Sequence, residues 1–459
     1  MEWSDFHGKK VGLLGAGVEN IALIPHLEKA GADITVCDRN AESPVIDQLK
    51  TNNISVVAGK NYLDSLDQFD VVFRIPGLAV GILDQALAKA NRKPIVTSAI
   101  NLFLEMAPCP IIGVTGTKGK GTTSTMIASI LSQTGRQVVV GGNINLAVFS
   151  FFDDLDKDSI FVLELSSFQL EDVTHSPSIA VLLPITPDHL QPLSAKNPNY
   201  HQSFDHYAAA KANITAFQRP NDLLVLAADS ETVKKIAAPS VARKIAVGQE
   251  GSEADLELTK AGQLLADNKV LLDFKQAGLS GQHLFLDAAL ATAVGREFGL
   301  SADQIIEGLK AFQPLPHRLE TVAEIDGITY VNDSYATAPE ATIAALSAFT
   351  QPIIWLGGGS KKGASFEALA HAIASSTVKK AILIGEEAPR IEATLKELKK
   401  VETIKANSLA EAVKLARAAA SFGDVVLLSP ACASKDMFND AAERGDQFTE
   451  LVHQIGVKT

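Results

Sequence analysis

The chain has 459 residues, of which 46% are hydrophobic, and its formal net charge is −12. This length is too great for one compact core and provides material for two to four domains. The acidic charge argues against nucleic-acid or membrane-surface partners. Because no apolar run could cross a bilayer and the first residues lack a signal-peptide pattern, we expect a cytoplasmic protein. We also expect it to act as a monomer. The widely spaced cysteines indicate neither a disulfide framework nor a zinc site.

The first hundred residues alternate short apolar runs with helical patterns, which predicts a parallel α/β sheet. A strand in "KVGLLGAG" enters a glycine turn, and "IALIPHLEKAG" follows as a helix that stops at Gly31. Further strands are expected at "DITVCDR" and "FDVVFRIPG", ahead of a linker at "MAPCP". We therefore place a first, Rossmann-like domain at residues 1–107.

The glycine turn at Gly15-Ala16-Gly17 is a dinucleotide-binding fingerprint that lacks its third glycine. Asp38 closes the second strand, where a ribose-binding acid would stand. A turn that serves packing alone fits these residues nearly as well as an NAD site, so both interpretations stay open.

A second α/β block, assigned to residues 108–314, begins with the stretch "GVTGTKGKGTT" at 113–123. It misses the strict P-loop template because Val114 replaces the first glycine, but Gly116-x-x-Gly119-Lys120 remains. Glycines let backbone N–H groups converge on phosphate, and a helix expected to start near Thr122 adds its dipole. Lys120 can reach the β- and γ-phosphates, and the Thr122 hydroxyl is available to Mg²⁺.

Two apolar strands of this block end in groups that are costly to bury alone. "FVLELSSFQLE" contains Glu164, and "AVLLPITPDHL" ends with Asp188 and His189. Ligands of open α/β sheets bind at the carboxyl ends of strands, so Glu164 and His189 are candidate Mg²⁺ ligands near Lys120. A structural ion pair and a surface histidine are the alternative.

A polar, β-rich insert is expected within the second block, near residues 228–274. The stretch "QPLPHR" then marks a second boundary. A third α/β block, assigned to residues 315–459 and Rossmann-like, has strands at "PIIWLGG", "KAILIG" and "DVVLLSP".

The motifs together resemble the Mur ligase family. The matching stretches occur in family order and span nearly the whole chain: "GVTGTKGKGTT", "GGNIN", "ELSSFQLE", "PDHL", "HYAAAK", "HRLE", "VNDSYAT", "LLSPACASKDMF" and "ERGDQF". The resemblance implies three domains, which bind a UDP-sugar precursor, ATP and the acceptor amino acid in turn. It implies ATP-dependent addition of D-glutamate to UDP-N-acetylmuramoyl-L-alanine through an acyl phosphate, in peptidoglycan precursor synthesis.

The resemblance also implies roles for individual residues. The ATP-binding set is Gly116, Thr117, Lys118, Gly119, Lys120, Gly121, Thr122, Asn143, Asp287, Arg318 and Asp333. Two Mg²⁺ ions are expected on Thr122, Glu164, His189 and Lys211, with Lys211 carbamylated and Lys120, His189 and Lys211 catalytic. The UDP-sugar would contact Gly15, Gly17, Val18, Glu19, Asp38 and Arg39, and glutamate would contact Thr337, Lys362 and Ser434.

The sequence departs from the family pattern around these sites. Tyr335 and Ala338 replace a lysine and an asparagine, Leu284 and Asp287 replace asparagines, and Ile75, Ala441 and Asn145 are also atypical.

Other functions remain as alternatives. One is the same ligation with L-glutamate. Another is a folylpolyglutamate synthase, which normally lacks a domain ahead of the Gly-Lys-Gly loop. A nicotinamide-dependent oxidoreductase using Gly15 and Asp38 leaves the Lys120 loop unexplained, and a non-catalytic nucleotide switch does not need three domains.

Overall fold

The computed structural model describes residues 1–143, 147–190, 200–279, 281–313, 316–346, 348–361, 364–398 and 401–457. Two compact units make up the chain, Met1–Phe312 and Gln313–Thr459. The first unit contains two sheets and the second contains one. Among the described helices, none combines the length and the apolar character needed to span a membrane.

The first sheet has five parallel strands in the order β3-β2-β1-β4-β5. Its strands are β1 Lys10–Leu14, β2 Asp33–Asp38, β3 Ser55–Ala58, β4 Val71–Arg74 and β5 Ile95–Thr97, and its helices are α1 Val18–Lys29, α2 Pro44–Thr51, α3 Val80–Leu87 and α4 Ala99–Met106. The strands predicted at "KVGLLGAG", "DITVCDR" and "FDVVFRIPG" are confirmed. Helix α1 ends two residues before Gly31, whose φ of +80° favours glycine.

The second sheet follows the order β14-β13-β12-β11-β10-β9-β6-β8-β7. Its strands are β6 Ile111–Thr115, β7 Val138–Gly142, β8 Ile160–Glu164, β9 Ile179–Leu182, β10 Leu223–Ala227, β11 Arg243–Gln249, β12 Leu256–Leu258, β13 Gln263–Ala266 and β14 Lys269–Asp273. Its helices are α5 Lys120–Leu131, α6 Ser167–Leu170, α7 Phe204–Ala216, α8 Glu231–Ala237, α9 Gln282–Glu297 and α10 Ala302–Ala311. Strands β12, β13 and β14 pair antiparallel in the predicted β-rich insert.

The third sheet follows the order β15-β16-β20-β17-β18-β19, and its edge strand β15 is antiparallel. Its strands are β15 Glu320–Ile325, β16 Ile328–Asn332, β17 Ile353–Gly358, β18 Val378–Ile384, β19 Glu402–Lys405 and β20 Val425–Leu428. Its helices are α11 Pro339–Leu346, α12 Glu367–Ser375, α13 Ala388–Leu398, α14 Leu409–Ala419 and α15 Ala441–Val457. The three strands predicted for this block are confirmed as β17, β18 and β20.

The centre of the second sheet is apolar on both faces. Strand β6 lies between β8 and β9, and all three are fully buried. Continuous apolar strands of this kind are typical of parallel sheets covered by helices on both sides. The carboxyl ends of the three strands therefore meet at one edge, where polar groups have a common, sheltered position.

Candidate active site

The loop between β6 and α5 turns sharply against the neighbouring strand segment. A Cβ on Gly116 would lie 2.5 Å from the Cβ of Leu183, so only glycine fits there. Gly119 caps the helix with a φ of +83°, in the left-handed region. The helix begins at Lys120 rather than near Thr122 as predicted, because the left-handed Gly119 lets the chain enter the helix directly. The N–H groups of this first turn form an anion-binding helix terminus.

Lys120 lies folded back onto its own loop. Its Nζ donates to the carbonyls of Gly116 and Thr117, at 3.2 and 3.0 Å. These two hydrogen bonds hold the ammonium group against the loop. An anion that bound at the N-terminus of α5 would therefore lie close to it. This arrangement fits a phosphate-binding lysine.

Thr117 connects the loop to neighbouring parts of the first unit by hydrogen bonds. Its N–H donates to the Pro184 carbonyl at 3.0 Å, and its hydroxyl lies 3.1 Å from the Tyr207 hydroxyl. The side chain is buried, so its contacts lie inside the protein. Lys118, one residue on, is exposed.

Asp287, expected to bind ATP, lies against the same loop. It is buried on α9, and its Oδ1 accepts from the Thr123 hydroxyl at 3.1 Å. A Cβ on Gly119 would come within 2.6 Å of this Oδ1. Burial raises the pKa of the Asp287 carboxyl to about 7, against the lowering effect of the Thr123 hydrogen bond.

Glu164 ends β8 with a carboxylate that is only 2% exposed. Its Oε1 accepts from the Asn143 Nδ2 at 2.8 Å, while Oε2 has no hydrogen-bond partner among the described residues. An unsatisfied buried carboxylate oxygen is costly unless a cation occupies the space beside it. Asn143 therefore orients a carboxylate that has one oxygen available for a metal.

Lys211, expected as a carbamylated metal ligand, is a helical lysine that is only 1% exposed. Its Nζ donates to the Thr115 hydroxyl at 3.1 Å and lies 4.9 Å from the centre of the Tyr207 ring. Burial, and after it the charge of Lys120, lowers the pKa of the Lys211 amine well below its usual range. The nearby charges of Asp188 and Glu164 oppose this shift. The structure thus brings Lys120, Lys211 and Glu164 into one electrostatic neighbourhood.

His189 follows the end of β9 in a left-handed conformation, with a φ of +56°. Its N–H donates to the Asp188 Oδ1 at 2.9 Å, and its Nδ1 has no partner in the described part of the chain. Burial lowers the pKa of the imidazole, and the charges of Lys120 and Lys211 lower it further. A neutral ring nitrogen in this position fits a metal ligand better than the surface histidine of the alternative interpretation.

The residues at this edge fit a divalent cation. The unsatisfied Glu164 Oε2 and His189 Nδ1 supply one oxygen and one nitrogen donor, and the Thr122 hydroxyl lies on the first turn of α5. The amine of Lys211 has no acceptor lone pair when protonated, so it could serve a metal only after chemical modification.

The glycine turn of the first sheet is occupied by protein atoms. Gly15 has a φ of +106°, and a Cβ there would collide with the Cδ1 of Ile75. Asp38 accepts from the N–H groups of Ala16 and Asn40, each at 2.7 Å. Ile75 and Asp38 therefore account for this turn through packing and hydrogen bonding, although the exposed Val18 marks an open surface beside it.

Glu19, expected near the diphosphate of the UDP-sugar, is buried. Its Oε1 accepts from the Gln169 Nε2 at 3.5 Å, a contact that joins α1 to α6. Burial raises the pKa of Glu19 to about 7. A carboxyl that is partly protonated at neutral pH repels a diphosphate less than an ionised one does.

Arg318 and Asp333, expected to bind ATP, lie in the second unit. The Arg318 guanidinium lies 5.4 Å from the centre of the Tyr335 ring, and Asp333 accepts from the Ser429 hydroxyl at 2.8 Å. Tyr335, one of the departures from the family pattern, therefore supports Arg318 through its aromatic face.

The expected glutamate contacts also belong to the second unit. Ser434 is buried after β20, and the Thr337 N–H donates to the Tyr335 carbonyl at 2.8 Å. Lys362 lies outside the described residues.

Sequence reasoning missed Arg444, which is fully buried. Its guanidinium donates to the hydroxyl and carbonyl of Ser334 and to the Cys432 carbonyl, at 2.8 to 3.2 Å. It holds together the loops that carry Asp333 and Ser434. The signal was present in "ERGDQF", because a charged residue in a matching stretch is a candidate for a buried structural role.

Three family models match successive parts of the chain. They are the Mur ligase MurD-like N-terminal domain at residues 9–97, the Mur ligase middle domain at 114–295 and the Mur ligase glutamate ligase domain at 317–432.

Curated relatives extend the match to nearly the whole chain. A UDP-N-acetylmuramoylalanine–D-glutamate ligase of Acetivibrio thermocellus is 36% identical over 97% of both chains. Ligases with the same name from Symbiobacterium thermophilum and Clostridium perfringens are 35% and 33% identical, over at least 97% of each chain.

Solved structures agree in fold. The UDP-N-acetylmuramate–alanine ligase of Thermotoga maritima has a TM-score of 0.60 at 18% identity, covering 97% of this chain and 100% of its own. The MurF ligase of the same organism, solved with ADP, has a TM-score of 0.59 at 18% identity, covering 100% and 97%. With three family models in sequence and relatives that match from end to end, the chain belongs to the Mur ligase family.

Proposed function

We propose that this protein is an ATP-dependent ligase that joins D-glutamate to UDP-N-acetylmuramoyl-L-alanine, in cytoplasmic synthesis of peptidoglycan precursors. The observation that carries the proposal is the set of full-length relatives, each named for that ligation. The site supports it, because a phosphate loop, a buried carboxylate and a buried amine converge at one sheet edge. The MurD-like N-terminal match disfavours a folylpolyglutamate synthase.

The reaction forms an acyl phosphate and then an amide. The terminal carboxylate of the UDP-sugar substrate attacks the γ-phosphorus of ATP, and ADP leaves. The amine of glutamate attacks the acyl carbon, and phosphate and a proton leave the tetrahedral intermediate. Catalysis of these steps depends mainly on placing charge against the transferring phosphoryl group.

The chain supplies that charge from the second sheet. The N–H groups at Gly116–Thr122 and the Lys120 ammonium bind the phosphates of ATP. Asn143 orients Glu164, and Thr117 holds the loop against the segment that follows β9, through the Thr186 carbonyl. Two Mg²⁺ ions, held by Thr122 with Glu164 and by His189 with Lys211, would neutralise phosphate charge when bound.

Lys211 is proposed to be carbamylated. A neutral lysine amine adds to CO₂ and loses a proton, which gives an N-carboxylate. This change would replace a buried cation by an anion beside Lys120. The 1% exposure of Lys211 supports the proposal, as does its one hydrogen bond within the described residues, to Thr115, because a buried ammonium is poorly stabilised there.

The carbamate can be tested by chemical rescue. Lys211→Ala should be nearly inactive and should regain part of its activity with added formate or acetate, whereas exposed Lys235→Ala should keep full activity. Native mass measurement in CO₂-equilibrated buffer should show an added 44 Da, the mass of CO₂, that disappears in Lys211→Ala. A free amine in fully active enzyme would rule the modification out.

We propose three domains, at residues 1–107, 108–314 and 315–459, of which the first and third bind the other substrates. The proposed contacts of the UDP-sugar are Gly15, Gly17, Val18, Glu19, Asp38 and Arg39. Arg318, Asp333 and Asp287 stay proposed ATP contacts, and Thr337, Lys362 and Ser434 stay proposed glutamate contacts. The protein is proposed to act as a monomer.

Phosphate release tests the function directly. We expect turnover with ATP, UDP-N-acetylmuramoyl-L-alanine and D-glutamate, and none with L-glutamate or when a folate replaces the UDP-sugar. Turnover with L-glutamate alone would change the acceptor and leave the acyl-phosphate chemistry in place. Turnover with a folate alone would replace the proposed function.

A further inference from the structure

A second group of potential metal ligands lies beside the candidate active site and is not used by it. One carboxylate oxygen of Glu171 and one ring nitrogen each of His201 and His206 lie within 4.8 Å of one another. Glu171 follows α6, His201 precedes α7, and His206 lies in the first turn of α7. Three short segments of the first unit therefore meet at this point.

His201 is prepared to bind a ligand. It is fully buried, and its Nε2 lies 2.9 Å from the Ser167 hydroxyl, while its Nδ1 has no partner in the described chain. If the Nε2 proton is donated to Ser167, Nδ1 keeps its lone pair, as the outer-shell partners of metal-bound histidines commonly arrange. A buried nitrogen whose lone pair accepts no hydrogen bond is energetically costly in a purely structural role.

The other two groups have geometry that suits a metal. The Nε2 of His206 lies 3.5 Å from the Glu171 Oε1, close to the separation of about 3.4 Å between ligands of a tetrahedral zinc ion. His206 is 43% exposed, so its side chain has room to move toward His201. Its Nδ1 accepts from the Gln202 N–H at 3.4 Å, a contact long enough to be given up when the proton moves to Nδ1.

The surrounding charge favours a cation. Arg74 lies 3.9 Å from Glu171, but its guanidinium makes two hydrogen bonds to Asp172, at 2.5 and 2.7 Å. The two carboxylates of Glu171 and Asp172 together outweigh the single positive charge of Arg74, which leaves one net negative charge beside two imidazoles. Nitrogen and carboxylate donors of this kind suit Zn²⁺ and similar transition-metal ions.

We propose that Glu171, His201 and His206 form a binding site for a transition-metal dication, best matched by Zn²⁺, separate from the Mg²⁺ ligands. Three protein ligands leave a fourth position for water. The site connects the end of α6 to the start of α7, behind the Phe168 ring, which stacks on His201 at 4.7 Å and contacts His189 at 5.2 Å. The cysteine spacing gave no indication of it, because its ligands are histidines and a glutamate.

The test is a Zn²⁺ titration of the full chain, freed of metal by chelation and held in excess Mg²⁺, followed by calorimetry. Wild type, His453→Ala and His189→Ala should bind one Zn²⁺ per chain at the same affinity. His206→Ala and Glu171→Gln should bind at least tenfold more weakly, since loss of even an outer-shell partner lowers metal affinity about 10–100-fold. Zn²⁺ should also raise the thermal midpoint of wild type and not that of His206→Ala.

Each outcome of the titration decides the matter. His206 is a surface side chain, and Glu171→Gln keeps the shape of its residue, so both variants should match wild type in metal-free thermal unfolding. If one fails to fold, the other decides. Absence of micromolar Zn²⁺ binding in wild type, unchanged binding in the folded variants, or loss of binding in His189→Ala alone would overturn the proposal. None of these results bears on the ligase activity, which is assayed separately.

Discussion

Two glycine turns, each between a parallel strand and a helix, differ in what occupies them. At the Gly15 turn, the Ile75 side chain occupies the space beside the glycine, and Asp38 accepts a hydrogen bond from the Ala16 N–H. The residue expected to face an anion there is Glu19, which is a buried acid. The turn at Gly116–Gly119 carries Lys120 over the helix terminus.

The comparison shows that glycine alone does not identify a phosphate site. At Gly15 the missing side chain makes room for Ile75, which belongs to the strand-end of β4. At Gly119 it permits a left-handed backbone that aims the first N–H groups of α5 at the loop mouth. The phosphate-binding function proposed for the second turn depends on a basic residue and a helix terminus, and the basic residue can be tested by substitution.

The largest effect is expected at Lys120. Lys120→Ala should lower the rate of phosphate release by about a hundredfold or more, since it removes a charge from the transferring phosphoryl group. Exposed Lys310→Ala serves as the control and should match wild type. Thermal unfolding should change little in both, because the Lys120 side chain is only partly buried. Turnover near the wild-type rate in Lys120→Ala would remove this loop from the mechanism.

The next effect is expected at the first turn. Gly15→Ala should destabilise the protein by about 2–4 kcal/mol, from a strained positive φ and a collision with Ile75. Gly59→Ala is the matched control, because Gly59 has a φ of +108° and no atom within 4 Å of its added Cβ. Denaturant unfolding of the two variants separates backbone strain, which both share, from the collision with Ile75, which only Gly15→Ala has. Equal losses of unfolding free energy would show that the Ile75 contact is not the reason for glycine at position 15.

Asp287 should make stability depend on pH. Its folded pKa of about 7 is above its unfolded value, so the folded state binds more protons at intermediate pH. The free energy of unfolding should therefore fall as the pH rises from 5 to 8, and Asp287→Asn should remove about 2 kcal/mol of that fall. The control variant Asp303→Asn, at an exposed position, should show the same fall in unfolding free energy as wild type. Parallel pH profiles for wild type and Asp287→Asn would contradict the buried position of this carboxyl.

The smallest effect is expected at Asp38. Asp38→Ala removes the acceptor for the N–H groups of Ala16 and Asn40, so we expect a loss of about 1–2 kcal/mol. Asp33→Ala, at the exposed start of the same strand, should be near neutral. Wild-type stability in Asp38→Ala would show that packing by Ile75 alone holds this turn.

Much of the fold was accessible from local sequence patterns. Strands β1, β2, β4, β17, β18 and β20 lie where apolar runs predicted them, because buried parallel strands carry few polar residues. The turn between β6 and α5 was recognisable from Gly116, Gly119 and Lys120 despite Val114, and its phosphate-binding role stays a prediction. The helix start was wrong by two residues, since the left-handed conformation of Gly119 is not visible in composition.

Contacts between distant residues were not accessible in this way. Ile75 lies sixty residues from Gly15, and Asn143 directly follows β7, the neighbour of the strand β8 that ends with Glu164. In the sequence, Tyr335 indicated only that a family lysine was missing. In the structure, its aromatic ring packs against the Arg318 guanidinium. Each of these pairings depends on strand order, which no short window of sequence contains.

The sequence by itself determined the three α/β blocks and the chemical types that could meet at a sheet edge, because periodicity and motif spacing are local properties. Only the tertiary structure decided which groups are buried and unpaired. Apart from the family resemblance, nothing in its own stretch distinguished Lys211 from an ordinary helical lysine, and the structure buries it on α7 against Thr115. His201 had no predicted role, and the structure packs it against Phe168 and Ser167. Burial changes the free energy of a charge or a lone pair more than any neighbour in the chain does, and it is set by packing across the whole unit.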